Sequence, residues 1–147
     1  MSMVDVTAKP EVYREAKAKG AIKLKPETIR LIREGKVEKG DPFQVAKVAG
    51  ILAAKNTSSL IPLCHPLPLT SVEVDLQIVD DSRIEVETTV KTRAQTGVEM
   101  EALVAATVAL LTVWDMTKQY EKDKRGQYPH TSIQDIHVIR KVKEGGT

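Results

Sequence analysis

The sequence has a single cysteine, Cys64, so no intrachain disulfide can form and a single-chain structural zinc site is improbable. Aromatic residues make up only 3% of it, namely Tyr13, Phe43, Trp114, Tyr120 and Tyr128. That leaves few platforms for stacked bases and weighs against an RNA-binding module. Charge of one sign is also missing: 22 basic and 20 acidic residues leave a net +2, with no long-range field to gather DNA or an anionic membrane. Any anion must be bound locally. The uncharged, apolar run Ala102 to Trp114 falls short of the roughly 18 apolar residues of a membrane span and reads as a buried helix. No basic segment followed by an apolar stretch and a small-residue cleavage site opens the chain, so the expected compartment is the cytoplasm.

The 147 residues, 41% of them hydrophobic, suffice for one domain with its own core. From Val12 to Leu24 small or apolar residues alternate with charged ones, the period-two pattern of a strand with one wet face. Pro26 opens a short helix with Gly35 placed to end it. Asp41 and Pro42 supply an N-cap and first-turn proline for PFQVAKVAGILAAK, so apolar around its circumference that it should be covered on more than one side. Pro62, Pro66 and Pro68 then exclude regular structure and predict an ordered loop. SVEVDLQIVD and RIEVETTVKTRA read as a hairpin turning at Asp80, Asp81 and Ser82. Thr96 and Glu99 have capping-box spacing for a long helix reaching about Lys122, and TSIQDIHVIRKV reads as the last strand. This order is βαββαβ with a doubled first helix: an α+β ferredoxin-like sandwich, a four-stranded antiparallel sheet with its helices on one face.

Three constellations could carry chemistry. Cys64 and His65 lie in the proline-framed loop, where polar groups can be held toward a pocket. Cys64 alone reads as a small buried hydrophobe, and His65 as either an anion contact and proton carrier or a satisfied loop residue. Glu99, Met100 and Glu101 occupy the first turn of the long helix; the helix dipole accounts for Glu99, while two carboxylates there can also receive the donor-rich edge of a guanine-like ring. Asp115 and Lys118, three apart on one helical face, are either a surface ion pair or, where a buried helix emerges, an acid/base couple with shifted pKa values. Lys39 and Arg14 are basic residues able to meet phosphate or simply solvated.

MVDVTAKPEVYREAKAKG, KGDPFQVAKVAGILAAKNTSSLIPLCHPLPLTSVEVD and VKTRAQTGVEMEALVAATVALLTVWDMTK, in unbroken order from Met3 to about Lys118, resemble the cyclic pyranopterin monophosphate synthases, the molybdenum cofactor biosynthesis protein C family. IPLCHP, TGVEMEAL and WDM followed by Thr117 and Lys118 are jointly specific. The resemblance implies a lyase that converts 3′,8-cyclo-7,8-dihydroguanosine 5′-triphosphate to cyclic pyranopterin monophosphate with release of pyrophosphate, in molybdenum cofactor biosynthesis. It makes Asp115, Lys118 and Lys39 catalytic. It makes Leu63, Cys64, His65, Glu99, Met100, Glu101, Arg14 and the C-terminal Lys141 substrate contacts. It implies no metal or redox cofactor held by the protein, although Mg²⁺ can accompany the triphosphate, and a homo-hexamer, a trimer of dimers with sites between subunits.

The residues agree with that implication in two ways. Arg14, Lys39, His65 and Lys118 come from separated segments and should converge on a triphosphate, and the apolar helices around Val45 and Val108 suggest subunit packing. Lys39 and Lys118 should repel so that one is neutral part of the time, and the three catalytic residues should meet only across a subunit boundary. Val12 stands where the family often has threonine, and the stretch after Lys118 is longer than in many relatives. The rival class is a non-catalytic ferredoxin-like module binding nucleotide or RNA, which would not need Lys39, Asp115 and Lys118 together.

Overall fold

The computed structural model describes residues 1–145. Its elements run β1 (Val12–Lys23), α1 (Pro26–Arg33), α2 (Pro42–Lys55), α3 (Thr57–Leu60), β2 (Leu69–Ile78), β3 (Arg83–Ala94), α4 (Glu99–Glu121) and β4 (Ser132–Glu144). The strands form one antiparallel sheet in the order β2-β3-β1-β4. This is the ferredoxin-like arrangement that the element order predicts, with α2 and α4 packed on one face. The short helix α3, directly before the proline loop, has no counterpart in the sequence reading. Four residues carry too little periodicity to reveal it.

Alternation explains the sheet. On β1, Val12, Arg14, Ala16, Ala18 and Ile22 are buried, while Tyr13, Glu15, Lys17 and Lys19 point to the wetter face. The alanines that make β1 a poor strand by propensity suit its position. Ala16 and Ala18 are fully buried in one cluster with Ala102, Ala105, Ala106 and Ala109 of α4, so small residues lie between helix and sheet. Gly50 extends that seam to α2: a Cβ there would come within 3.0 Å of Val74 Cγ2 and 3.1 Å of the Ala105 carbonyl oxygen. Thr88 of β3 donates to the Ala102 carbonyl at 2.8 Å, tying α4 to the sheet.

The helix ends follow their sequence signals in two cases and depart in one. Asp41 caps α2, its carboxylate accepting from Phe43 N at 2.9 Å. Gly35, at φ +68°, ends α1 in a Schellman motif: Lys36 N donates to Leu31 O and Gly35 N to Ile32 O. The capping box at Thr96 does not form. Helix α4 opens after Val98 with no side-chain cap, and the Glu99 side chain instead folds back over Gly97, within 2.0 Å of where a Cβ would stand.

The expectation that α2 is covered on more than one side fails within a single chain. Its buried residues include Ala46, Gly50, Ala53 and Ala54, whereas Val45, Val48 and Leu52 are about half exposed, as is Leu111 on α4. By length and composition α4 could cross a membrane, but it is the core helix of this fold, with Ala102 through Val113 supplying the centre of the cluster.

Candidate active site

Two groups of polar residues lie at opposite ends of α4. At its C-terminal end, Asp115 and Lys118 project one turn apart, and their side chains meet at 2.9 Å. Lys39, on the connection between α1 and α2, reaches the same carboxylate from the other side. Its Nζ lies 3.5 Å from Asp115 Oδ2 and donates to the Asp115 carbonyl at 3.3 Å. The connection is fixed at several points: Val37 is buried, Gly40 N bonds to Val37 O, and Glu38 N donates to the Tyr120 hydroxyl at 2.9 Å. Beyond α4 the chain turns around Asp123 and brings Tyr128 edge-on to Trp114, with ring centroids 5.2 Å apart.

All three charged groups are solvent-accessible, and the pKa values of Asp115 and Lys118 follow their mutual attraction more than burial. The Lys118 hydrogen bond and charge, then the Lys39 charge, hold the Asp115 carboxyl below the usual carboxylate range. Asp115 in turn holds the Lys118 ammonium above the usual lysine range. The resting site is therefore Asp115 carboxylate with Lys118 ammonium. This corrects two expectations. Asp115 stands between the lysines, so repulsion does not push Lys118 toward neutrality; and the three residues meet inside one chain rather than across a boundary.

The second group surrounds the N-terminus of α4. A cleft of about 490 Å³ is lined by Leu63, Cys64 and His65 from the proline loop, by Thr96, Gly97, Glu99 and Met100 at the helix start, and by Val4, Val6 and Lys9 from the N-terminal segment. The His65 ring Nε2 lies 2.7 Å from the Val4 carbonyl oxygen, which joins that segment to the loop. Glu101 is buried and its Oε1 has no hydrogen-bond partner among the described residues. Burial pushes its carboxyl up, its own backbone N–H opposes the shift, and the charge of Glu99 adds to it. Burial, then Glu101, push the Cys64 thiol up as well, so the sulfur is no activated nucleophile here.

Lys141 belongs to this end: its ammonium lies 3.4 Å from Glu99 Oε2. Arg14 is buried and committed to backbone, with Nε on Ala94 O at 3.1 Å and an Nη on Gln95 O at 3.3 Å, where it braces the connection from β3 into α4. The convergence of Arg14, Lys39, His65 and Lys118 on one point therefore does not occur within a chain. Val4, Val6 and Lys9 escaped the residue-by-residue reading, because nothing local marks an irregular segment as packed on a loop some 60 residues away. Glu121 escaped it too. Buried at the foot of α4, it accepts from Lys25 N at 3.1 and 3.2 Å, from Thr131 Oγ1 at 2.6 Å and from Thr28 Oγ1.

The family model described as the MoaC family matches residues 3–146, nearly the whole sequence. The chain belongs to the MoaC family. Similar proteins bear the name probable cyclic pyranopterin monophosphate synthase. That of Pyrococcus furiosus is 56% identical over 144 residues, covering 98% of this chain and 92% of that protein. That of Saccharolobus solfataricus is 56% identical over 142 residues, 97% of this chain and 95% of its own length. That of Pyrococcus abyssi is 54% identical over 147 residues, 100% and 92%. The conspicuous motifs of this MoaC-family chain thus fall into two clusters separated along α4. Asp115 follows Met100 by fifteen positions, about 22 Å of helix at 1.5 Å per residue.

Proposed function

We propose that this chain is a cyclic pyranopterin monophosphate synthase, a lyase of molybdenum cofactor biosynthesis. It acts on 3′,8-cyclo-7,8-dihydroguanosine 5′-triphosphate and releases pyrophosphate. The observation that carries the reading is the Lys39, Asp115 and Lys118 constellation, two ammonium groups on one carboxylate at the exposed end of an otherwise apolar helix. A binding module has no need of that arrangement, and membership of the MoaC family supports the same conclusion.

The reaction opens the imidazole ring of a purine, rebuilds a six-membered ring with sugar carbons and closes a cyclic phosphate. Each stage moves protons near neutral pH. Lys118, protonated at rest, is the general acid of the first proton delivery and becomes a base only after giving that proton up. Asp115 holds the ammonium in place and stabilises its charged form. Lys39 supplies the second cation, against the charge of the departing pyrophosphate. At the other cluster, the unpartnered Glu101 oxygen and Glu99 are acceptors for the N–H edge of the guanine-derived ring, and His65 and Lys141 are donors for phosphate.

Both clusters must touch one small fused ring and its substituents, because proton transfer requires contact at about 3 Å. Separated by about 22 Å along α4, they cannot both do so within a chain. The working site therefore joins Lys39, Asp115 and Lys118 of one copy to the cleft lined by His65 and Glu99, with Glu101 buried beside it, of another, in a soluble cytoplasmic homo-hexamer. The half-exposed Val45, Val48, Leu52 and Leu111 supply apolar surface for such contacts.

The test is direct: incubate the purified protein with the cyclo-dihydroguanosine triphosphate and measure pyrophosphate together with the oxidisable fluorescent pterin. Equimolar pyrophosphate and pterin are expected, with a loss of about 10³-fold or more in Lys118→Ala whose assembly is intact. Binding of the triphosphate without turnover would favour the module reading instead.

A further inference from the structure

We propose that Tyr120 is a positioning residue for Lys39, acting through the backbone of the connection that carries it; this rests on the catalytic reading of Lys39 given above. Asp115 and Lys118 are oriented by the helix to which they belong. Lys39 has no such support. It sits on the irregular stretch between α1 and α2, next to Gly40 at φ +119°, and must be delivered to Asp115 by tertiary contacts. The buried Val37 anchors one side of that stretch and the Asp41 cap of α2 begins the other. Between them, Glu38 N–H donates to the Tyr120 hydroxyl at 2.9 Å, one residue before Lys39.

Tyr120 is itself fixed at two points. Its carbonyl accepts from Lys25 Nζ at 3.1 Å, and the next residue, Glu121, is locked by Lys25 N, Thr28 and Thr131. The phenol is thus a rigid post raised from the helix that carries Asp115 and Lys118, holding the backbone that carries Lys39. One helix end sets the relative positions of all three charged groups. A phenylalanine keeps the ring and its packing and removes only the acceptor, so the consequence falls on the reach of Lys39 and not on the fold.

The test compares Tyr120→Phe, Lys39→Ala and the double variant in the full assembly. In Tyr120→Phe, amide exchange across residues 34–41 should quicken about tenfold or more; kcat should fall about three- to tenfold with KM within twofold. In the Lys39→Ala background, followed in long single-turnover incubations, adding Tyr120→Phe should cost nothing further, since the side chain it positions is gone. An equal loss in both backgrounds, unchanged amide exchange, or wild-type turnover in Tyr120→Phe would overturn the proposal. If Lys39→Ala itself turns over at the wild-type rate, the catalytic reading of Lys39 fails and takes this proposal with it. A slow Lys39→Ala beside an unaffected Tyr120→Phe removes only the positioning role.

Discussion

Replacing Glu101 with glutamine should stabilise the protein at neutral pH while weakening its hold on substrate. Glu101 is buried in the first turn of α4, and its Oε1 finds no partner there. An ionised oxygen left in that state forfeits hydration that none of the described residues replaces, a cost of about 1–3 kcal/mol. Glutamine keeps the shape and removes the charge. For a domain of this size each kcal/mol corresponds to about 2–4 °C, so Tm should rise by roughly 2–12 °C at pH 7.5. The pH dependence fixes the cause. At pH 4, below the ordinary glutamate value of 4.5, the carboxyl is mostly protonated in folded and unfolded chains alike and the penalty nearly vanishes. As pH rises, the unfolded chain ionises first while burial holds the folded carboxyl protonated, so the penalty grows until the folded group ionises as well. Thermal unfolding of both proteins at one concentration, from pH 4 to 8, should show curves that meet at the acid end and separate above it. A glutamine variant less stable than wild type at pH 7.5, or more stable by the same amount at every pH, would refute the reasoning.

Two further outcomes follow from residues at the foot of α4. Asp115→Asn removes the group that raises the Lys118 pKa, so the alkaline limb of the kcat profile, where Lys118 loses its proton, should move to lower pH; an unmoved limb would assign it to another group. Glu121→Ala leaves Lys25 N–H and the Thr28 and Thr131 hydroxyls without their shared acceptor, and should cost about 3–5 kcal/mol, against about 1–2 kcal/mol for Thr131→Val, by denaturant unfolding at fixed protein concentration. A Glu121→Ala cost below 1 kcal/mol would mean that water or a rearranged backbone replaces the carboxylate.

The sheet and its helices were legible because alternation and helical spacing are properties of neighbouring residues. β1 is the instructive case: Ala16 and Ala18 argue weakly for a strand by propensity, yet they are what the fold needs where α4 comes close. The start of α4 misled in the opposite way. Thr96 and Glu99 carry the spacing of a capping box, but the Glu99 carboxylate turns instead over Gly97 and toward Lys141, contacts that no local pattern encodes. Within the site, Asp115 and Lys118 could be paired from their spacing alone. That Lys39 joins them inside the same chain, and that Arg14 is spent on the Ala94 and Gln95 carbonyls, depends on tertiary approach across 76 and 80 residues of sequence. The N-terminal segment over His65 and the Tyr120 contact to Glu38 are of the same kind.

Complementation measures the division of labour between the two ends of α4 most directly. Lys118→Ala and Glu101→Ala, each inactive alone, are mixed in equal amounts, dissociated and reassembled, and pterin formation is followed. When each site takes its acid/base group from one copy and its ring-binding cleft from the other, a mixed pair contains one site with both halves intact. Half of the pairs are mixed, so the reassembled protein should recover about a quarter of the wild-type rate. A mixture no more active than either variant alone, from subunits shown to have exchanged, would place both halves of each site in a single chain and contradict the account.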